Sequence, residues 1–559
     1  MPHDLVIRGG TVTDGSGGPS YRADVAVRDG LIVELGKVAD RGAQEIDADG
    51  LVVTPGFIDS HTHLDAQVTW DPFGPSAWHG ITTVVMGNCG FSLAPCHESQ
   101  REAVFKIFER SEDLPRESLM TIDWQWDDFP SWIEFLRRTP KGINYASMIG
   151  QSALRAHVLG EERAYQHGGA TDDEMAAMCG EVERAITAGA CGFSTSRFEH
   201  HLTREGERVP GAFSSWEELG TLLGVLGKLN RGVAMVLPAI EEGHRGDWCE
   251  AMTRWAIESG RPTIWLGPHD VLDQARRRGA RVYNYWASKP FDSVVSFRSA
   301  LSFDTHPGWQ AVRRLPLDEQ RAAFTDPERR AALVHEAMTN VSGSEVGAAA
   351  RNPEYDILQV VTEGFDYRSV AELAEERRTT PVDVMIDLAL ATDFHQMFSQ
   401  DIGMHARTTP ALFADRVVRD GKAPWTVWGP SDSGAHLSQS LAYDNTTFFL
   451  GHWVRDEGLF SWEDAIFRLS YEPAALFGFR DRGLIREGMA ADLLVLDRDG
   501  LSLEAPRVVD DLPGGAKRLC RKGVGFRHTI VNGQEILRDN EPTGALPGRV
   551  LPGSARPPL

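Results

Sequence analysis

The chain has 559 residues, a formal charge of -23 at pH 7 and a pI near 5.2. So acidic a protein repels the phosphates of nucleic acid and of anionic membranes, which excludes both as partners and leaves a small-molecule substrate. Six cysteines at irregular spacing give no disulfide framework, and neither a leader-like N-terminus nor an apolar run of about 18 residues occurs, so a cytoplasmic location is expected.

In chain order, the first fifty residues alternate short β-type runs (4–8, 24–27, 31–35) with Gly9-Gly10, Asp14-Gly15 and Asp29-Gly30, the punctuation of tight hairpins. The far end repeats this style at 491–496 and 526–531, followed by Asn532-Gly533. Residues 1–53 and 481–559 are therefore expected to build one small β-sandwich, and the Gly/Pro-rich stretch 542–559 to lie over this subunit or a neighbouring one, leaving room for a homo-oligomer.

Between these ends, residues 54–480 alternate strand-like runs with amphipathic helices, the signature of parallel βα units. Eight strands are expected at 52–58, 82–86, 143–149, 190–195, 232–237, 263–266, 281–285 and 426–428, giving an α/β fold with a (β/α)8 TIM-like barrel. Thr171 with Glu174, and Ser215 with Glu218, have capping-box spacing, and Met175, Met178, Val182 and Ile186 trace one helix face. A stretch at about 288–425 separates the last two strands, too long for a βα loop, so it carries helices of its own and is expected to cover the site.

Barrel catalysis belongs at the C-terminal ends of the strands. His61-Thr62-His63 ends the first strand, where an i, i+2 pair directs two imidazoles to one side and can hold a divalent ion. Cys89, in Gly87-Asn88-Cys89-Gly90, ends the second strand and can add a thiolate; a buried inert cysteine is the alternative. Asp432, in Ser431-Asp432-Ser433-Gly434-Ala435-His436, ends the eighth, where a carboxylate can hold metal and accept a proton from water. Arg155 is a candidate for a substrate carboxylate, with an ordinary ion pair as the alternative, and His436 for orienting substrate or Asp432. For His200-His201 a solvated loop is expected, and Trp70, Trp78, Trp265 and Trp286 suit either an aromatic pocket or the core.

The segments PGFIDSHTHLDAQ, TTVVMGNCGFSLAP, SALRAHVLG, AGACGFSTS, PSDSGAH and GMAADLLVLD with VNGQEI resemble the amidohydrolase superfamily, and specifically its N-acyl-D-amino-acid deacylases. The resemblance spans nearly the whole chain. It implies a metal-dependent barrel with a small β-sandwich, metal roles for His61, His63, Cys89 and Asp432, and acid-base work by Asp432.

The chain departs from that pattern where the family places further histidines. After strand five it reads Pro238-Ala239-Ile240-Glu241-Glu242-Gly243; after strand six Leu266-Gly267-Pro268, with His269 beyond; and a third histidine position holds Gln151. Strand four has no lysine to bridge two metals. One ion per subunit, zinc, is therefore expected, with a second site rebuilt from His269, Glu241 or Glu242 as the alternative. The expected reaction is hydrolysis of a C-N amide bond in an N-acyl amino acid by metal-activated water; lactone or cyclic-imide hydrolysis, another metal-dependent reaction and a non-catalytic binding protein are the alternatives.

Overall fold

In the computed structural model, described for all residues except 1–2, 167–168, 239–244, 266–268, 291, 341–351, 402–409 and 554–559, eight parallel strands succeed one another in chain order. They are Phe57–Asp59, Ile81–Met86, Asn144–Gly150, Gly192–Ser196, Val233–Leu237, Thr263–Trp265, Val282–Trp286 and Thr426–Trp428. Nearly every residue in them is buried, as expected of strands covered on both faces. The first and eighth strands are joined beyond their ends, by a parallel bridge between Thr62 and Ser433. His63 N donates to Ser433 O at 2.7 Å and Asp432 N to His61 O at 3.0 Å. This seam of the barrel therefore runs through the candidate metal residues.

The strand expected at 52–58 is two strands that part at Gly56. Val52–Pro55 pairs with Leu493–Leu496 in the terminal sheet, whereas Phe57–Asp59 enters the barrel. A Cβ at Gly56 would lie 2.1 Å from Thr82 Oγ1, so only glycine lets the chain cross between sheets so close to its neighbour.

Both termini meet in a nine-stranded sheet, five strands from the N-terminal side and four from the C-terminal side. Alternating side chains of His3–Val12 serve its two faces. Leu5 and Ile7 pack with Val53, Leu493 and Val495, while Val6 joins Ala26 and Val38.

The tail lies on its own barrel. Pairing between the third and fourth strands covers only Met148–Gly150, which leaves the first half of the third strand an open edge. Residues 547–551 close it: Tyr145 N donates to Arg549 O at 2.9 Å and Leu551 N to Tyr145 O at 2.8 Å.

Among the described residues, five helices of the long insertion, Pro307–Arg313, Leu317–Thr325, Pro327–Thr339, Val370–Arg377 and Pro381–Ala391, pack around a core that includes Phe297, Trp309, Phe324 and Phe394, and a sixth, Pro410–Gly421, leads back to the eighth strand. Its small antiparallel sheet docks on the segment just past Asp432, with Val294 N donating to Gln439 O at 2.7 Å and Val294 and Met397 packing on Leu441. Among the described residues, no helix is long and apolar enough to cross a membrane.

Candidate metal centre

His61 and His63 stand just past the first strand, held by neighbouring loops. Thr62 N and Oγ1 both donate to Val85 O at 2.9 Å, and Asn88 Nδ2 donates to Thr62 O at 3.2 Å, which locks this turn to the end of the second strand. Asp59 ties it to the eighth strand: its carboxylate accepts from His61 N at 3.3 Å, Ser431 N at 3.2 Å and Ser76 Oγ at 3.2 Å, and also from Ser431 Oγ.

The expected donors converge. His63 Nε2 is 3.2 Å and His61 Nε2 3.4 Å from Asp432 Oδ1, and Cys89 Sγ is 3.5 Å from His61 Nε2. His436 Nε2 lies 3.7 Å from Asp432 Oδ2. Cys89, Asp432 and His436 all have positive φ, 54°, 54° and 49°, a conformation unfavourable for side chains of this size and characteristic of functional loops. Gly434 is required on the same loop, because at φ 94° a Cβ would sit 2.5 Å from His63 C and O. We expect Gly434→Ala to cost about 1–3 kcal/mol and to weaken divalent-metal binding about tenfold by pushing this loop off His63. Denaturant titration and metal competition check this, and wild-type values in both would refute the packing argument.

The electrostatics suit a cation. Burial drives the His61 imidazole down to about 3, so it is neutral and one ring nitrogen keeps a lone pair for metal. Burial also pushes His63 down, but the carboxylates of Glu112 and Asp432 outweigh it and hold His63 well above the usual histidine range. Burial raises Asp432 as well, yet hydrogen bonding and charge from His63 pull it below the ordinary carboxylate range. The Cys89 thiol, pushed up to about 11 by burial, gives up its proton only to a strong Lewis acid. Two imidazoles, a thiol and a carboxylate fit a zinc-type ion, and among the described residues no lysine or arginine pairs with Asp432 in its place.

Two further groups face the centre without a motif to announce them. Glu112, 2 % exposed, follows the helix Arg101–Ser111, and its Oε2 lies 3.7 Å from His63 Nε2. His201, expected in a solvated loop, instead packs its ring 4.9 Å from Phe91, donor or acceptor to Ser196 Oγ at 2.8 Å, and feels the charges of His63, Asp432 and His436. Burial keeps it neutral, down to about 3. Its neighbour His200 is exposed. Position after the fourth strand was the available signal for His201; a helix end far from any motif offered none for Glu112.

Arg155 lies elsewhere. It is 0 % exposed and its guanidinium pairs with Glu218, which also accepts from Gln151 Nε2 at 3.0 Å. The structure favours the ion pair over the expected substrate contact, because the charge is already neutralised within the core. The same pairing diverts Glu218 from a full capping box: Ser215 caps Glu218 N at 3.1 Å, but the Glu218 carboxylate turns inward. Of the tryptophans, Trp265 lies in the core, 1 % exposed against Trp248, whereas Trp70, Trp78 and Trp286 are partly buried and pack at its edge, with Trp78 Nε1 donating to Asn540 O.

Where the resemblance implies further histidines and a bridging lysine, the described residues offer none. Pro238 is buried at the end of the fifth strand, and Gly192–Ser196 contains no lysine. His269 points to Asp420 and Asp273, 3.6 Å from each, with its ring 4.7 Å from that of Trp425. That places it in a surface ion-pair group apart from the donor cluster. Glu241 and Glu242 lie outside the described residues.

Comparison with known proteins agrees with this architecture. A family model described as "Amidohydrolase family" matches residues 44–537. A D-aminoacylase from Alcaligenes xylosoxydans xylosoxydans is 29 % identical over 99 % of both chains, and an N-acyl-D-aspartate deacylase from the same organism 31 % identical over 99 % of this chain and 96 % of its own. Among solved structures, an N-acyl-D-glutamate deacylase from Bordetella bronchiseptica, complexed with zinc and a phosphonate inhibitor, superposes with a TM-score of 0.62 at 24 % identity, covering 99 % of this chain and 100 % of its own.

Proposed function

The chain belongs to the amidohydrolase family, and from that premise we propose that it hydrolyses the amide bond of N-acyl-D-amino acids with one zinc ion held by His61, His63 and Asp432, Cys89 alongside. The observation that carries this reading is the convergence of His61 Nε2, His63 Nε2, Cys89 Sγ and Asp432 Oδ1 at the C-terminal end of the barrel. The full-length relatives named as D-aminoacylase and N-acyl-D-aspartate deacylase point to the substrate class.

When bound, the ion would lower the pKa of water toward about 7 and stabilise negative charge on the amide oxygen. The remaining work falls to the protein. Asp432 accepts the proton of the attacking water and returns it to the leaving amine, so one carboxylate serves as base and then as acid. His436, 3.7 Å from Asp432 Oδ2, holds that carboxylate in register, while Asp59 keeps the first and eighth strand ends together. His201, neutral and fixed through Ser196, is a candidate to donate a hydrogen bond to substrate.

Assay of paired N-acetyl-D- and N-acetyl-L-amino acids with zinc-loaded protein tests the proposal. We expect the D-enantiomers to be preferred by roughly a hundredfold or more in kcat/KM. No turnover of any N-acyl amino acid would reject the deacylase reading, and product formed without incorporation of labelled water would reject hydrolysis.

A further inference from the structure

We infer that Glu112 is a further ligand of the metal centre, an oxygen donor supplied by the end of the helix Arg101–Ser111 and assigned by no motif of the chain. The inference rests on the metal site proposed above and adds a residue to it. The donors form two overlapping triads that share His63: His61, His63 and Cys89 in one, His63, Glu112 and Asp432 in the other, with the atoms of each within 4.8 Å of one another. Two donors at 2.0–2.2 Å from one ion stand at most about 4.4 Å apart, so the second triad needs a closure of only a few tenths of an ångström.

Among the described residues, Glu112 has His63 alone as an ion-pair partner, and Asp432 draws on the same imidazole. The Glu112 side chain is 2 % exposed, and among the described residues no lysine or arginine pairs with it. The charged groups that face it are His63, His436 and Asp432, and the last is another carboxylate. A buried acid and a partly buried one around one imidazole repel each other at close range, a cost that a divalent ion between them removes.

The local backbone is built to hold Glu112 there. The helix stops at this residue, with Leu114 N donating to Phe108 O at 3.2 Å, and Asp113 takes a positive φ of 50° that turns the chain away. His436 N donates to Glu112 O at 2.5 Å, and Asp113 accepts from Ser438 N and Oγ at 3.2 and 2.6 Å. The turn that carries Glu112 is therefore fastened to the loop that carries Asp432, and both carboxylates approach His63 from one joined unit.

Zinc titration of the full chain against a chromophoric chelator, together with the visible spectrum of the cobalt(II)-substituted protein, tests the assignment. Glu112→Gln is expected to weaken zinc binding roughly 10- to 100-fold and to change the cobalt(II) bands, with the thermal midpoint of the metal-free protein equal to or above that of wild type. Zinc affinity within about twofold of wild type and an unaltered cobalt(II) spectrum would overturn it, as would a loss confined to the midpoint of the metal-free protein. Should Glu112→Gln fail to fold, Glu112→Asp is read in the same way: weaker zinc binding with a shifted spectrum supports the assignment, and wild-type values in both refute it. The wild-type arm separates the two readings. A wild-type chain that binds no divalent ion refutes the metal centre as a whole, whereas a wild-type site matched by Glu112→Gln refutes only the role of Glu112.

Discussion

Asp432→Asn is expected to lower kcat/KM for an N-acyl-D-amino acid by roughly 10³- to 10⁴-fold while leaving the barrel folded. Asparagine keeps the volume of the side chain and tolerates the positive φ of 54° that this position demands, so the loop geometry survives the change. What disappears is the negative charge that lies 3.2 Å from His63 Nε2 and 3.4 Å from His61 Nε2, and with it the only group in the cluster placed both to share a metal with two imidazoles and to carry a proton. The loss should fall on kcat more than on KM, because proton transfer is needed at the transition state and not for substrate binding. Steady-state kinetics beside far-UV circular dichroism decide it. A variant within tenfold of wild type would place the proton-transfer group elsewhere, with Glu112 and His201 the remaining titratable groups that face the centre and lie outside the family pattern.

The parts of this site legible in the sequence are those set by strand ends. His61 and His63 follow an apolar run with strand period, Cys89 follows the next, and Asp432 follows the last, so the barrel rule alone brings them to one rim. Glu112 could not be found this way, because it reaches the rim from the end of an outer helix, and nothing in Arg110-Ser111-Glu112-Asp113 signals a helix stop aimed inward. Arg155 was open between a substrate contact and an ordinary ion pair. Its place after the third strand fits a substrate contact, but the deciding fact is Glu218, 63 residues further on, and a pairing at that separation leaves no local pattern.

The fold divides along similar lines. Strand and helix period gave the eight barrel strands within a few residues, apart from 52–58, where the break depends on how close Gly56 comes to Thr82. The place of the tail was open for the same kind of reason. Its backbone finds partners only because the third and fourth strands pair out of step, which is a matter of register and not of composition.

Stripping the metal should abolish turnover, by roughly 10³-fold or more, and one equivalent of zinc should restore it in full. The stoichiometry follows from what the other strand ends present. A second ion beside the first needs donors from the fourth, fifth and sixth strands, and these end in Ser196, in Pro238, which has no side-chain donor, and in a segment whose nearest histidine, His269, is turned to Asp420 and Asp273 at 3.6 Å. Gln151, at another expected histidine position, is consumed in hydrogen bonds to Glu218 and Thr195. Among the described residues, the donors that converge surround His63, and they are enough for one ion of four or five ligands. The same binding should appear in stability: zinc at about 100 times its dissociation constant adds about 2.7 kcal/mol to unfolding if the unfolded chain does not hold it. Metal analysis of the purified chain, followed by chelation and stepwise zinc return with activity and denaturation read together, tests both quantities. Activity that keeps rising to a second tightly held equivalent would require a second site, and would turn attention to Glu241 and Glu242 on the segment that follows the fifth strand.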